Sequence, residues 1–165
     1  MINNRELTAV DFEGSQHAIT GSTLKWRPSA YGVVIEDNRI LLCPQRRGGY
    51  DLPGGGVEMH ETFEQAVERE VKEETGIDVC ANRIINVREN LVMLPTDNPD
   101  GQQAYRTILL YYLCTKIGGE ISVDGFDDWE KKNADMAKWI EIDKLDNLTI
   151  ASTIDFRNII KEVIG

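Results

Sequence analysis

At 165 residues with an ordinary apolar share, the chain is sized for one domain (1–165) with its own core, which excludes disordered and fibrous classes. A net charge of −10 argues against binding extended DNA or RNA, because that needs a basic tract to replace condensed counterions. No apolar run approaches the roughly 20 residues needed to cross a bilayer, and the start at Met1 lacks an apolar signal core, so the expectation is a cytoplasmic protein with no membrane association.

The first 25 residues are weakly patterned and are read as an edge strand or a homodimer arm. Tyr31, Gly32, Val33, Val34 and Ile35 form a strand candidate, Asp37 and Asn38 a turn, and 40–43 a second strand. A loop follows with Arg46, Arg47 and Tyr50, and then a Leu52, Pro53, Gly54, Gly55, Gly56 run in which neither helix nor regular strand is expected. Thr62 is positioned to cap a helix, with Gln65 as its capping-box partner, and Gly76 to end it. Phe63, Ala66, Val67 and Val71 recur at helical spacing and mark the apolar face. Beyond it, 83–93 and 105–114 read as long strands joined by a polar loop at 95–103, and 139–142 as a short strand. Phe156, Ile159, Ile160 and Val163 mark a final amphipathic helix. The order strands, helix, strands, helix gives an α/β fold with helices packed on a curved sheet.

Cys43, Cys80 and Cys114 are odd in number, far apart and set in apolar stretches, so they read as buried free thiols. With only His17 and His60 beside them, they do not compose a zinc site.

The informative segment is the helix after the glycines. At about 100° per residue, Glu70, Glu73 and Glu74 share one face near the helix C-terminus. Both their mutual repulsion and the helix macrodipole oppose that arrangement. The glutamates alone fit either a solvated charged face or a site for a hard divalent cation such as Mg2+ or Mn2+. Gly54, Gly55 and Gly56 let backbone approach closely, and Arg69 adjoins the cluster.

Gly55, then Glu61 after five residues, then after seven more Arg69, Glu70, Val71, Lys72, Glu73, Glu74, Thr75, Gly76 and Ile77 resemble the Nudix box without departure. That pattern spans 55–77, and a chance match anywhere in the chain is on the order of one in ten million at average residue usage. The resemblance implies a Nudix-like α/β/α sandwich with a curved mixed sheet between helices. It also implies metal-dependent hydrolysis of a diphosphate linkage in a nucleoside-diphosphate derivative, with a small phosphorylated nucleotide as substrate. By motif position, Glu70 and Glu74 are metal ligands, Glu73 a ligand or the water-activating base, Arg69 and Glu61 their orienting partners, and the Gly54 carbonyl a further ligand. Some family members take the base from the loop before the last strand, and here Asp127, Asp128, Glu130 and Asp135 are available. Arg46 and Arg47 are placed to hold phosphate or leaving group, and Tyr50 to stack on a base or to pack; Trp26, Tyr105 and Arg106 are weaker candidates. Two alternatives share the fold: an isoprenoid-diphosphate isomerase, which needs Cys43 or Cys80 as proton donor, and a non-catalytic nucleotide-sensing domain.

Overall fold

The computed structural model describes residues 6–96, 101–128 and 130–165, so part of the loop expected at 95–103 lies outside the described residues. The strands are β1 (Glu6–Val10), β2 (Gln16–Thr20), β3 (Lys25–Glu36), β4 (Arg39–Pro44), β5 (Tyr50–Asp51), β6 (Gly54–Gly56), β7 (Ile77–Pro95), β8 (Gln102–Gly119) and β9 (Lys138–Glu141). The helices are α1 (Phe63–Thr75), α2 (Glu130–Asn133) and α3 (Arg157–Ile164). The sheet runs β2-β1-β7-β8-β3-β4-β5, with β6 also paired to β3 and β9 to β4. It is mixed, because β1–β7 and β3–β8 are parallel and the other pairs antiparallel.

Strand alternation sends neighbouring residues to opposite faces and so builds two cores. Ala30, Val34, Leu41, Leu110 and Tyr112 pack with Ala66, Val67 and Val71 of α1. Val33, Ile40, Leu42, Leu109 and Tyr111 pack with Ile159 and Ile160 of α3. The result is the α/β/α layering that the sequence implied. Three register shifts in the long β7–β8 ladder bend the sheet, as bulges do. Both strands extend beyond the 83–93 and 105–114 expected from the sequence.

Helix α1 begins and ends on the expected residues. Thr62 Oγ1 accepts from the Gln65 N–H at 3.2 Å, and Gln65 Oε1 accepts from the Thr62 N–H at 2.9 Å. Gly76 adopts φ +78° and donates to the Lys72 carbonyl, a left-handed cap that hands the chain directly to β7. The depth of the helix on the sheet is set at Gly32, where a Cβ would stand 2.6 Å from Val71 Cγ2.

Three expectations change. The glycine run is not irregular: Gly54, Gly55 and Gly56 pair antiparallel with Tyr31, Ala30 and Ser29. Glycine is a weak strand former, but here the ladder with β3 outweighs that cost. Phe63 keeps 41% of its surface exposed, because periodicity marks a face without showing how far the sheet reaches beneath the first turn. Cys80 is exposed while Cys43 and Cys114 are buried, since alternation in β7 turns Ile77 and Val79 inward and Cys80 outward. No helix among the described residues is long and apolar enough to cross a membrane.

Candidate active site

β6 is a strip of bare backbone, and charged groups of opposite sign occupy its two faces. A Cβ on Gly55 would lie 2.7 Å from both carboxylate oxygens of Glu70, and one on Gly56 would lie 2.6 Å from Arg27 Nη2. Glu70 comes from α1, while Arg27 points from β3 with Ser29 and Tyr31 onto the other side of the sheet. Gly54, at φ +151°, backs onto the main chain of Ala30 and Tyr31, and its N–H donates to Glu74 Oε2 at 3.0 Å. Glu70 therefore reaches β6 because Gly55 carries no side chain, and Glu74 is held there by the Gly54 N–H.

Arg69 organises the remaining acids. Its Nε and Nη2 grip the two Glu61 oxygens at 3.0 and 2.7 Å, and Nη1 donates to Glu70 and Glu73, both at 2.9 Å. Nη2 also donates to the Gly56 carbonyl at 3.1 Å. Glu61 is in turn tied to the Glu58 N–H at 2.8 Å. Side-chain exposure is 7% for Glu61, 13% for Glu70 and 45% for Glu73, which makes Glu73 the member of the cluster most open to water.

These contacts set the electrostatics. The Arg69 hydrogen bonds hold the Glu61 carboxyl down to about 2, and the same bonds raise the Arg69 guanidinium. Burial pushes Glu70 up to about 7 against the pull of Arg69, with Glu73 adding repulsion. Glu74 is raised well above the carboxylate range, first by burial and next by Glu70. Two half-buried acids that repel each other form a site short of positive charge.

The donor set is all carboxylate oxygen, which suits a hard divalent cation. Among the described residues no three acidic, histidine or cysteine side chains converge ready-made on one point, since Arg69 draws Glu70 and Glu73 to itself and Gly54 holds Glu74. The residues fit Mg2+ or Mn2+ by chemistry and charge, and to hold it Glu70, Glu73 and Glu74 would have to turn from these partners. The contact made here by Gly54 is through its N–H, not through the carbonyl expected as a ligand.

The acidic cluster stands where two clefts meet. One, of about 500 Å3, crosses the α3 face of the sheet; the other, of about 470 Å3, lies beside Arg69 and Glu73. Arg27, Gly56, Glu70, Asp127 and Glu130 line both. Of the four loop carboxylates, the fold thus brings Asp127 and Glu130 to the site, where each donates its N–H to the other's side chain at 2.6 and 2.7 Å. Glu130 is raised, first by burial and then by Asp127 and Glu73. Asp128 is 97% exposed, and Asp135 pairs with Arg46 at 3.4 Å.

Arg47 lines the larger cleft, whereas Arg46 and Tyr50 line neither. Tyr50 packs against the α3-side core and donates its N–H to the Thr149 carbonyl. Cys43 donates to Glu74 Oε2 at 3.6 Å from a buried position; neither it nor Cys80 lines a cleft. Trp26 is 67% exposed, with Arg106 near its ring. Arg27, Asp51 and Phe12, none singled out from the sequence, belong to the cleft. Arg27 had a usable signal: it shares strand parity with the inward-facing Tyr31 and Val33.

A family model described as the NUDIX domain matches residues 25–162. The chain belongs to the Nudix family of pyrophosphohydrolases. It is 33% identical over 135 residues to an ADP-ribose pyrophosphatase of Methanocaldococcus jannaschii, covering 79% of this chain and 69% of that one. It is 31% identical over 130 residues to an NAD-capped RNA hydrolase of Vibrio atlanticus, covering 77% of this chain but only 42% of the relative. Among solved structures, a Nudix hydrolase from Nitrosomonas europaea aligns with a TM-score of 0.62 at 21% identity over 85% of this chain and 89% of that one. An ADP-ribose pyrophosphatase from Streptococcus suis aligns with a TM-score of 0.59 at 23% identity, covering 84% and 91%. At these identities the structural likeness bears on the fold, and the Nudix fold is the one these comparisons share.

Proposed function

We propose that this Nudix hydrolase uses Mg2+ or Mn2+ to cleave the diphosphate linkage of a nucleoside-diphosphate derivative. The observation that carries the reading is the half-buried pair Glu70 and Glu74, held at a glycine strip opposite the Arg27 guanidinium at the meeting of two clefts. When bound, the cation neutralises charge developing on the phosphate oxygens and acidifies a water. Glu70 and Glu74 supply its oxygen ligands, and Arg69 with Glu61 keeps the cluster in place. Arg27 holds the diphosphate from the other side of β6, where a forked donor suits phosphate oxygens. Glu73, open to water, takes the proton as water attacks phosphorus; Glu130 is the second candidate, favoured by its place in both clefts.

Within this class, the substrates to compare are nucleoside triphosphates, ADP-ribose, nucleotide sugars and dinucleoside polyphosphates. The relative named for NAD-capped RNA qualifies the expectation that extended nucleic acid is excluded. A cap diphosphate is the same chemical target as a free one, and only tract binding is opposed by the net charge of −10. The test is a hydrolysis screen with Mg2+ or Mn2+ over these compounds and a capped oligoribonucleotide, with products identified by mass. Products split at a diphosphate from at least one of them are expected; no hydrolysis of any would overturn the reading.

A further inference from the structure

The smaller cleft has two walls of different origin. One is α1, which presents Arg69, Glu70 and Glu73; the other is the loop after β8, which presents Gly125, Asp127 and, at the start of α2, Glu130. That second wall is anchored by main chain at both ends. On the α1 side, the Ser122 N–H donates to the Thr75 carbonyl at 3.0 Å, and a Cβ on Gly76 would stand 2.3 Å from the Glu120 carbonyl oxygen. On the far side, the Arg46 N–H donates to the Asn133 carbonyl at 2.8 Å and the Asp135 N–H to the Pro44 carbonyl at 3.0 Å. Between the anchors, the reciprocal bonds of Asp127 and Glu130 fix these two acids to each other.

Gly125 is where the two walls touch. A Cβ on it would lie 2.5 Å from the Glu73 carbonyl oxygen, 2.7 Å from Glu73 Cα and 3.0 Å from the Glu73 carbonyl carbon. Its neighbours Gly76 and Gly119 have φ of +78° and +77°, a conformation that favours glycine for its own sake. Gly125 has no positive φ, so space alone requires glycine there. The obstructing atoms are the main chain of a helix, which cannot swing aside as a side-chain end can. Charge does not hold the walls together. Glu130 adds to burial in raising Glu70 and Glu74, and Glu73 adds to burial in raising Glu130, so the acids on the two sides repel.

From this we infer that Gly125 is a positioning residue: its missing side chain lets the loop seat on the main chain of Glu73 and so fixes Asp127 and Glu130 across the smaller cleft from the α1 glutamates. Two sets of carboxylates far apart in sequence are then spaced by one backbone contact, against their own repulsion. The consequence for rate rests on the proposed function; the consequence for stability does not.

Thermal denaturation of the wild type, Gly125→Ala, Glu130→Gln and the double variant, at pH 8 in chelator, tests it without turnover. Glu130→Gln keeps an acceptor for the Asp127 N–H and removes the charge, so in the wild type it should raise the melting temperature by about 2 °C or more. In Gly125→Ala, where the loop stands off from α1, the same substitution should give less than half that rise. Two merely structural changes would add instead. An equal rise in both backgrounds, or no rise in the wild type, overturns the inference. Ser122→Ala removes the acceptor of the Asp124 N–H at 3.0 Å and loosens the turn leading into Gly125. It should also diminish the rise, and it decides the matter if Gly125→Ala does not fold. With the compound cleaved fastest in the hydrolysis screen, Gly125→Ala should lose on the order of tenfold or more in kcat, and an undiminished kcat would overturn the inference as well. If no compound is hydrolysed, the diphosphatase reading falls and the stability comparison still decides the role of Gly125.

Discussion

The Glu70 carboxylate occupies the space that a side chain at Gly55 would fill, with both oxygens 2.7 Å from where its Cβ would stand. The obstructing atoms are the end of a flexible side chain, so Gly55→Ala can be accommodated by moving Glu70. Its expected signature is an activity loss on the order of 100-fold, the cost of displacing a catalytic group by about 1 Å, with little change in melting temperature. Gly54→Ala meets the backbone of Ala30 and Tyr31 instead, at a φ of +151° that other residues rarely adopt. It should lose on the order of 2–3 kcal/mol of stability as overpacking does, read by denaturant unfolding. Equal melting temperatures for the two variants would contradict this division.

Glu74 is half-buried, repelled by Glu70 and tied to one N–H. Glu74→Gln preserves shape and removes the charge, so stability should be unchanged or higher while turnover falls by at least on the order of 100-fold. Glu73→Gln and Glu130→Gln separate the two proton acceptors. The one that abolishes the basic limb of the pH–rate profile is the base, and Asp128→Asn, altering a side chain 97% exposed, should match wild type.

Metal should act on the protein as well as on the reaction. A chelator is expected to abolish turnover, and Mg2+ or Mn2+ to restore it. Because a ligand that binds only the folded state stabilises it, the wild-type melting temperature should rise with Mg2+ concentration. Glu70→Gln combined with Glu74→Gln should flatten that rise. Activity that persists in chelator, or an identical rise in the double variant, would count against the assignment.

Two carboxyls give stability opposite pH dependences. Arg69 holds Glu61 at about 2, so the contribution of that pair is present above the ordinary carboxylate value and is lost as pH falls towards 2. Glu61→Gln should remove this part of the acid transition. Asp51 is raised to about 7 by burial, against the opposing pull of the Leu52 N–H, Arg47 and Ser152. The folded state then favours its neutral form, and stability falls as pH rises from the unfolded value through 7. Asp51→Asn should therefore match wild type near pH 4 and exceed it increasingly up to pH 8 in thermal denaturation.

Local chemistry made much of α1 and its acids legible in the sequence. Thr62 with Gln65, the left-handed Gly76 and the grouping of Glu70, Glu73 and Glu74 all depend on residues within one or two helical turns. The cleft was less legible because it is assembled by register. Phe12, Arg27, Asn90 and Thr107 meet only after β1, β3, β7 and β8 pair, and each is unremarkable within its own segment. The glycine run misled for a related reason: propensity argued against a strand, and the partner that makes it one lies more than 20 residues earlier. Arg46 and Tyr50 lie near the cleft in sequence, but the β4–β5 turn directs one to Asp135 and the other into the core.

The contact between Gly32 and Val71 ties two selective pressures together. Val71 follows Glu70 directly and precedes Glu73 and Glu74 within one helical turn, so the residue that sets the height of α1 above the sheet also sets the height of the acids. A substitution there that improves packing shifts the carboxylates as it does so. Stabilising variants chosen at this contact will therefore tend to trade rate for robustness, whereas the α3-side core can be repacked without touching the helix that bears the glutamates.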